Sequence, residues 1–435
     1  MKRGVSSPRT ATPRTARLIN DRVAFELLLD RGPLTRRELR TLTGLSGPTI
    51  AALVHRLEAA GLVAPVGEAG TDRRGPNARL YGVVADRAHV AGVEVRPDNV
   101  LAVVTDLTGA TVGSARVPQD PGAQPDRIIQ AALDGALADA GLSDDRLRMV
   151  VVGTPGLVDP ESGDVSFVAS LPTWHANVLP GLRDRYGDRV ELQNEVNLVG
   201  YAEHRLGAAR GHDTFALLFL DEGIGVAIVL NGRVLRGASG GAGEVAYLPL
   251  GRGTFQDLAG GPAVRELARQ HGIPVPDDTS RDVDTSRDVD TSGRVDAPGE
   301  RVNGSSDPAG PSSDPADTSA DVADPSSDLA GLVRAAVDGG PAGAAFLDAL
   351  ADRVSQGAAA LCAVVDPGFL VLAGEVGRTG GLALARRVEE RLSTLIPLPT
   401  RVAPGAVDGN PVVRGAVLVA LDHLHRETFG LDVEV

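Results

Sequence analysis

Two groups of residues carry the potential chemistry of this chain. In "ELQNEVNLVG", Asn194 and Glu195 follow the strand-like run Arg189–Leu192 and stand where a helix opens. A carboxylate at such a place is a candidate general base, provided a proton lies within hydrogen-bond reach. Asn and Glu also satisfy turns and helix starts, and that alternative stays open. The second group is basic and N-terminal. Residues 1–80 hold 14 Lys/Arg against 7 Asp/Glu, whereas the whole chain has 43 against 57 and a net charge of −14. A cationic end on an acidic body points to nucleic acid at that end.

The elements that would position the basic group are three short helices between residues 15 and 63. In the first, Leu18, Ile19, Val23, Leu27 and Leu28 recur at helical spacing, and "RGP" at 31–33 ends it. Thr35 and Glu38 form a capping box for the second, which stops at Gly44. Ser46 caps the third and Pro48 is tolerated in its first turn. Ile50, Leu53, Val54 and Leu57 make its apolar face, and Gly61 closes it. Two strand-like runs around "AGTDRRGPN" complete a winged helix-turn-helix, whose third helix enters the major groove.

Ser46, Thr49, His55 and Arg56 lie off the apolar face and are expected to meet phosphates or base edges, with Pro48 in the same turn. Arg36 and Arg37, opening the second helix, are expected on phosphate. Arg73 and Arg74 beside Gly75-Pro76 are expected in a narrow minor groove.

From Ala88 the texture becomes α/β. "HVAGVEVRPDNVLAVVTDLTGATVGSARVP" reads as three strands, followed by a helix and the strand "RMVVVGTPG". "TFALLFLDEGIGVAIVLNGRVLRG" repeats the logic with an Asn231-Gly232 hairpin signal, which suggests duplicated lobes. Residues 274–328 contain the repeat "DTSRDVDTSRDVD" in an Asp/Ser/Pro-rich stretch and are expected to be a disordered acidic insert in a surface loop. Cys362 in "GAAALCAVV" is the single cysteine, read as a core residue. No run approaches a membrane span and the N-terminus has no apolar signal region, which places the chain in the cytoplasm.

These pieces in this order resemble the ROK family of repressors and sugar kinases, in its regulator branch with an N-terminal winged helix. The most specific blocks are "LTRRELRTLTGLSGPTIAALVHRLEAAGLV", "VVVGTPGLVDPESGDV", "LQNEVNLVGYAEHRLGAARG", "GIGVAIVLNGRVLRGASGGAGEVAYLPLG" and "VVDPGFLVLAGEVG". The resemblance implies a two-lobed actin-like (sugar kinase/Hsp70) α/β fold behind the winged helix. The expected division is a basic tail at 1–14, the DNA-binding domain at 15–82, lobe 1 at 83–200, and lobe 2 at 201–435 with a C-terminal helix returning to lobe 1.

The resemblance also sets what is missing. Kinase relatives carry an Asp-x-Gly-Gly-Thr phosphate loop where this chain has Glu94-Val95-Arg96-Pro97-Asp98, and a Gly-Thr-Gly loop where it has Asp221-Glu222-Gly223. Pro97 removes an amide donor and the carboxylates oppose a triphosphate. The catalytic Asp of the family's Asn-Asp pair is Glu195, longer by a methylene, and a misplacement of ~1 Å can cost on the order of a hundredfold. Tyr247 replaces a His, and the zinc-binding cysteines that follow in relatives are absent, so neither cofactor nor metal is expected. Asn194, Glu195, Glu244 and Tyr247 remain as sugar-binding candidates.

The expected protein is therefore a DNA-binding transcriptional regulator of carbohydrate genes, a dimeric repressor rather than an enzyme. Its partners would be an operator duplex, a sugar or sugar derivative, and a second copy of itself. The competing reading is an ATP-dependent sugar kinase with an accessory DNA-binding domain.

Overall fold

The computed structural model describes residues 13–430 apart from 70–77, 121, 161, 167–177 and 276–324. Three helices open it, α1 (Pro13–Arg31), α2 (Arg36–Thr43) and α3 (Gly47–Ala59), with the short strand β1 (Leu34–Thr35) between the first two. The caps fall where the side-chain chemistry puts them. The Thr35 hydroxyl accepts from the Glu38 amide while the Glu38 carboxylate accepts from the Thr35 amide, and Gly44 closes α2 at φ +71°. Ser46 caps α3. β2 (Val63–Ala69) and β3 (Ala78–Val83) pair antiparallel as the wing, and β1 adds to its edge. That third strand was not legible, because two residues carry no periodicity.

Lobe 1 follows as β4 (His89–Val95), β5 (Asn99–Asp106), β6 (Thr111–Pro118), α4 (Pro125–Ala140) and β7 (Leu147–Thr154). The small strands β8 (Leu157–Val158) and β9 (Val165–Ser166), then α5 (Val178–Tyr186), β10 (Val190–Asn194) and α6 (Glu195–Arg205), continue it. Lobe 2 begins with β11 (Phe215–Leu220), β12 (Ile224–Leu230), β13 (Arg233–Val234), β14 (Pro249–Leu250), β15 (Gly253–Thr254), α7 (Phe255–Ala259) and α8 (Gly261–Gln270). It ends with α9 (Pro325–Asp338), α10 (Gly340–Val365), β16 (Phe369–Ala373), α11 (Gly374–Leu395), β17 (Arg401–Pro404) and α12 (Pro411–Phe429).

The duplication is visible in the sheets. The first runs β10-β7-β4-β5-β6 and the second β17-β16-β11-β12-β13, each with two parallel and two antiparallel ladders in the same order. Asn231 and Gly232 both take positive φ, 53° and 74°, as a two-residue hairpin with a type I′ turn requires. The acidic insert lies outside the described residues except at its ends, and α9 starts at Pro325. The structured chain thus resumes inside the 274–328 stretch, because "DLAGLVRAAVD" supplies apolar residues at helical spacing. Cys362 is fully buried.

One apolar cluster unites the molecule. Leu217, Val229 and Val371 from the second sheet, Val199 from α6, Val413 and Leu424 from α12, and Val151 from the first sheet belong to it. So do Phe25, Leu39 and Leu53 of the winged helix. α6 and α12 are therefore sandwiched between the two lobes, and α12 extends to the winged helix. Among the described residues no helix is long and apolar enough to cross a membrane.

Candidate functional site

The two sheets each turn a corner after their first strand, and both corners hold carboxylates. At the end of β4, Glu94 is 3% exposed. It pairs with Arg96 (Nε to Oε1 3.2 Å) and accepts a bond from Asn410 Nδ2 at 2.5 Å. The turn is tied down by its own backbone: the Arg96 amide donates to Asn99 O (2.8 Å), Gln119 Nε2 donates to Arg96 O (2.8 Å), and the Gln119 amide donates to Asp98 O (2.8 Å). With Pro97 lacking an N–H and the Arg96 amide spent, this corner cannot wrap a phosphate as a nest of backbone donors does.

The corner after β11 reaches the same end by other means. The Asp221 amide donates to Gly223 O (3.1 Å), the Glu222 amide to Asp221 Oδ1 (2.9 Å), and the Ile224 amide to Gln256 Oε1 (2.9 Å). Asp221 Oδ2 also accepts the Glu375 amide at the start of α11 (3.1 Å). Glu222 is not a bare charge facing an anion site, as its sequence position suggests. The Arg265 guanidinium clasps both of its oxygens, one at 3.0 Å. Gly261 lies so close that a Cβ there would meet Glu222 Oε2 at 2.4 Å, so this ion pair needs glycine beside it. Sequence reasoning missed Arg265 and Gln256, whose roles arise only when α7 and α8 fold under β12.

Glu195 opens α6 and is half-buried, with no hydrogen bond to a described residue. Burial lifts its carboxyl to about 8, Glu94 and Asp221 add to the rise, and Arg96 opposes it. Asp221 is raised to about 6, again chiefly by burial. Arg96 is thus the cation around which three carboxylates gather. At neutral pH Glu195 is mainly a protonated acid able to donate, which ill suits a base but suits an acceptor oxygen on a ligand.

Asn194 is committed to the fold. Its Oδ1 accepts the Asn197 amide (3.1 Å) as the N-cap of α6, and its Nδ2 donates to Gly156 O (2.9 Å). These bonds give Asn194 a positioning role, using one of its two donor hydrogens and one of its two acceptor positions and leaving the others for a ligand. Glu244 and Tyr247 lie on the loop before β14, and both are exposed, Tyr247 at 53%. This loop and Asn194 meet the same segment: Asn194 bonds Gly156, while a Cβ on Gly240 would strike Val158 O at 2.1 Å. Among the described residues no group of three or more His, Cys, Asp or Glu is placed to hold a metal ion.

At the other end, Arg37, Ser46, Pro48 and His55 are exposed and Thr49 is partly so. The Ser46 and Thr49 hydroxyls lie 2.8 Å apart and share a hydrogen bond within the cap. Arg36 is exposed but lies over the Tyr81 ring at 5.1 Å, braced against the wing. Arg40, which sequence reasoning passed over, is exposed one turn after Arg37 on the same helix. Arg56 has a structural role that its sequence position did not suggest: its Nε and Nη2 grip both oxygens of Asp21 on α1 (2.7 and 2.5 Å), and Asp21 is 6% exposed. That bidentate fork fixes α3 against α1. Arg73 and Arg74 lie outside the described residues.

Comparison with known proteins gives the following. The family model "ROK family" matches residues 90–261 and the model "MarR family" matches residues 24–75. The Xylose repressor of Bacillus subtilis is 24% identical over 241 residues, 53% of this chain and 60% of that protein. The DNA-binding transcriptional dual regulator NagC of Escherichia coli is 23% identical over 265 residues, 57% of this chain and 64% of its own. The matched region thus spans about 60% of the length of these curated relatives. A solved structure described as a ROK family transcriptional regulator, homolog of the E. coli MLC protein, superposes with a TM-score of 0.66 at 17% identity. It covers 95% of this chain and 99% of its own.

Proposed function

For a chain that joins a MarR-type winged helix to a ROK-family domain of actin-like fold, we propose a sequence-specific transcriptional regulator of carbohydrate genes, acting as a repressor. Its ROK domain serves as the sensor of a sugar that carries no phosphate. The observation that carries this reading is the state of the two corner turns. Pro97 offers no amide, the Arg96, Asp221 and Glu222 amides are spent, and the carboxylates are gathered around Arg96 or bound to Arg265, so an anion meets negative charge where it would need donors. A neutral polyol meets acceptors and the protonated Glu195 instead. Support also comes from one relative named as a repressor and another named as a transcriptional dual regulator, and from exposed Arg37, Arg40 and His55 on helices whose apolar faces are otherwise used.

The regulator works in the cytoplasm as a homodimer, whose two winged helices address half-sites about 34 to 36 Å apart or a multiple of that. Arg73 and Arg74, which lie outside the described residues, are assigned to the minor groove. The test is fluorescence anisotropy on duplexes from the protein's own promoter region, with and without a panel of unphosphorylated pentoses and hexoses. Operator binding that one sugar alters, and its 6-phosphate does not, is the expected result. Absence of any sequence-preferring DNA binding at moderate salt overturns the reading, as does sugar-dependent release of ADP from ATP.

A further inference from the structure

α12 touches both the candidate cleft, the place where Glu94, Glu195 and Asp221 gather around Arg96, and the winged helix, and the contacts at its two ends differ in kind. At the cleft end one side chain does two things. Asn410 Oδ1 accepts the Val413 amide (3.0 Å) as the helix N-cap, while Nδ2 donates to Glu94, the carboxylate paired with Arg96. The preceding loop is fixed by Glu203 of α6, 1% exposed, whose carboxylate accepts the Ala406 and Val407 amides at 2.9 and 3.1 Å. The start of α12 is thus set by the same group that sets the position of Arg96.

Along its length α12 is held hard against its neighbours. A Cβ on Gly415 would meet Leu198 O of α6 at 2.1 Å, and one on Gly92 of β4 would meet Val413 O at 2.9 Å. Farther on, Asp422 accepts from the Tyr201 hydroxyl and from Arg205 Nη1 (3.3 Å), both on α6, whose first residue is Glu195. Packing this close gives a helix discrete positions, not a continuous slide. At the far end His425 meets Phe25 of α1 edge-on, with centroids 5.5 Å apart, and Phe429 meets the same ring at 5.6 Å. α1 in turn holds α3 through the Asp21–Arg56 fork. Nineteen residues make a rod about 28 Å long, enough to join the two ends.

We propose that α12 carries the state of the cleft to the DNA-binding domain, with Asn410 as the positioning residue that couples the helix to Glu94 and Arg96. The inference rests on the regulator reading for its purpose, but its physical content, that disturbing Asn410 is felt at α1, needs no sugar or operator. Asn410→Asp separates the two jobs of the residue. Aspartate remains a good N-cap, yet it has no donor for Glu94 and faces it with like charge.

The experiment is hydrogen–deuterium exchange on the full-length protein without ligand, comparing wild type with Asn410→Asp and with Phe429→Leu. The expected result for Asn410→Asp is faster exchange in residues 411–416 and also in α1, by roughly threefold or more in each, with α8 in lobe 2 unchanged. Phe429→Leu, cut at the far end, should loosen α1 and leave residues 405–410 as they are. Faster exchange confined to residues 405–416 overturns the proposal, and so does a rise that includes α8, since that reports general destabilisation. In a second arm, any sugar from the panel that shifts wild-type operator affinity at least fivefold should shift that of Asn410→Asp less than twofold. A wild type that no sugar affects counts against the regulator reading, while the exchange arm still decides the role of α12.

Discussion

The DNA end and the cleft are both rich in charge, and they hold it in opposite ways. On α2 the cations Arg37 and Arg40 point outward, unencumbered by the fold. In the cleft Glu94, Asp221 and Glu222 turn inward and are bonded to Asn410, to backbone amides and to Arg265. Charges left exposed are available to a partner, whereas charges engaged with one another fix geometry. Each end has exceptions, and one at each end is clear-cut. Arg56 at the DNA end is engaged, and Glu195 in the cleft has no hydrogen-bonding partner among the described residues.

The exceptions give the sharpest ways to test the contrast. Arg56→Ala leaves Asp21 buried without its counter-charge and should destabilise the winged helix by about 3 kcal/mol, whereas Arg37→Ala should cost under about 0.5 kcal/mol. Urea denaturation followed by circular dichroism reads both. Equal effects would show that the division between engaged and available cations is wrong. Next in size is Arg265→Ala, expected to cost about 2 kcal/mol, because Glu222 loses a bidentate partner but retains some access to water. A loss below about 0.5 kcal/mol would mean that the Glu222 ion pair does not hold the second corner.

The pH dependence of Glu195 comes third. Its folded value of about 8 lies above its ordinary 4.5, so between those pH values the folded protein keeps a proton that the unfolded chain has released. Stability from this group is complete below pH 4.5 and is lost as pH rises through about 8. Glu195→Gln, neutral throughout, should therefore match wild type near pH 4.5 and melt a few degrees higher at pH 8.5, measured by scanning calorimetry. A gap that closes as pH rises would invert the sign and remove the protonated acid from the cleft.

How much of this was legible follows from range. The caps at Thr35, Ser46 and Gly44, the apolar face of α3 and the Asn231-Gly232 turn are read correctly because each depends on residues a few positions apart. The duplicated sheets follow from strand order for the same reason. The Asp21–Arg56 fork spans 35 residues and the Glu94–Asn410 bond spans 316, and nothing local distinguishes those side chains from solvated ones. Asn410 ahead of Pro411 does carry an N-cap signature, so α12 could be placed from sequence, although its grip on Glu94 could not. Asn194 shows the converse: a residue in a catalytic-looking pattern that the fold also uses, as the N-cap of α6 and as a donor to Gly156.

The smallest expected effect tests the DNA end directly. Arg37 stands at the start of α2, where a helix pointed at a duplex offers its side chains and its partial positive charge to phosphate. A phosphate contact carries no base information, so Arg37→Ala should weaken binding by a similar, few-fold factor on operator and on unrelated duplex. The slope of log affinity against log salt should fall in magnitude by about 1. His55→Ala, farther along α3, should instead lower operator affinity more than non-specific affinity, because α3 is the helix we assign to the major groove. Anisotropy titrations over a range of salt concentrations separate the two. If Arg37→Ala leaves the salt slope unchanged, the outward cations of α2 are solvated and not in contact with DNA. The DNA end would then differ from the cleft in exposure alone.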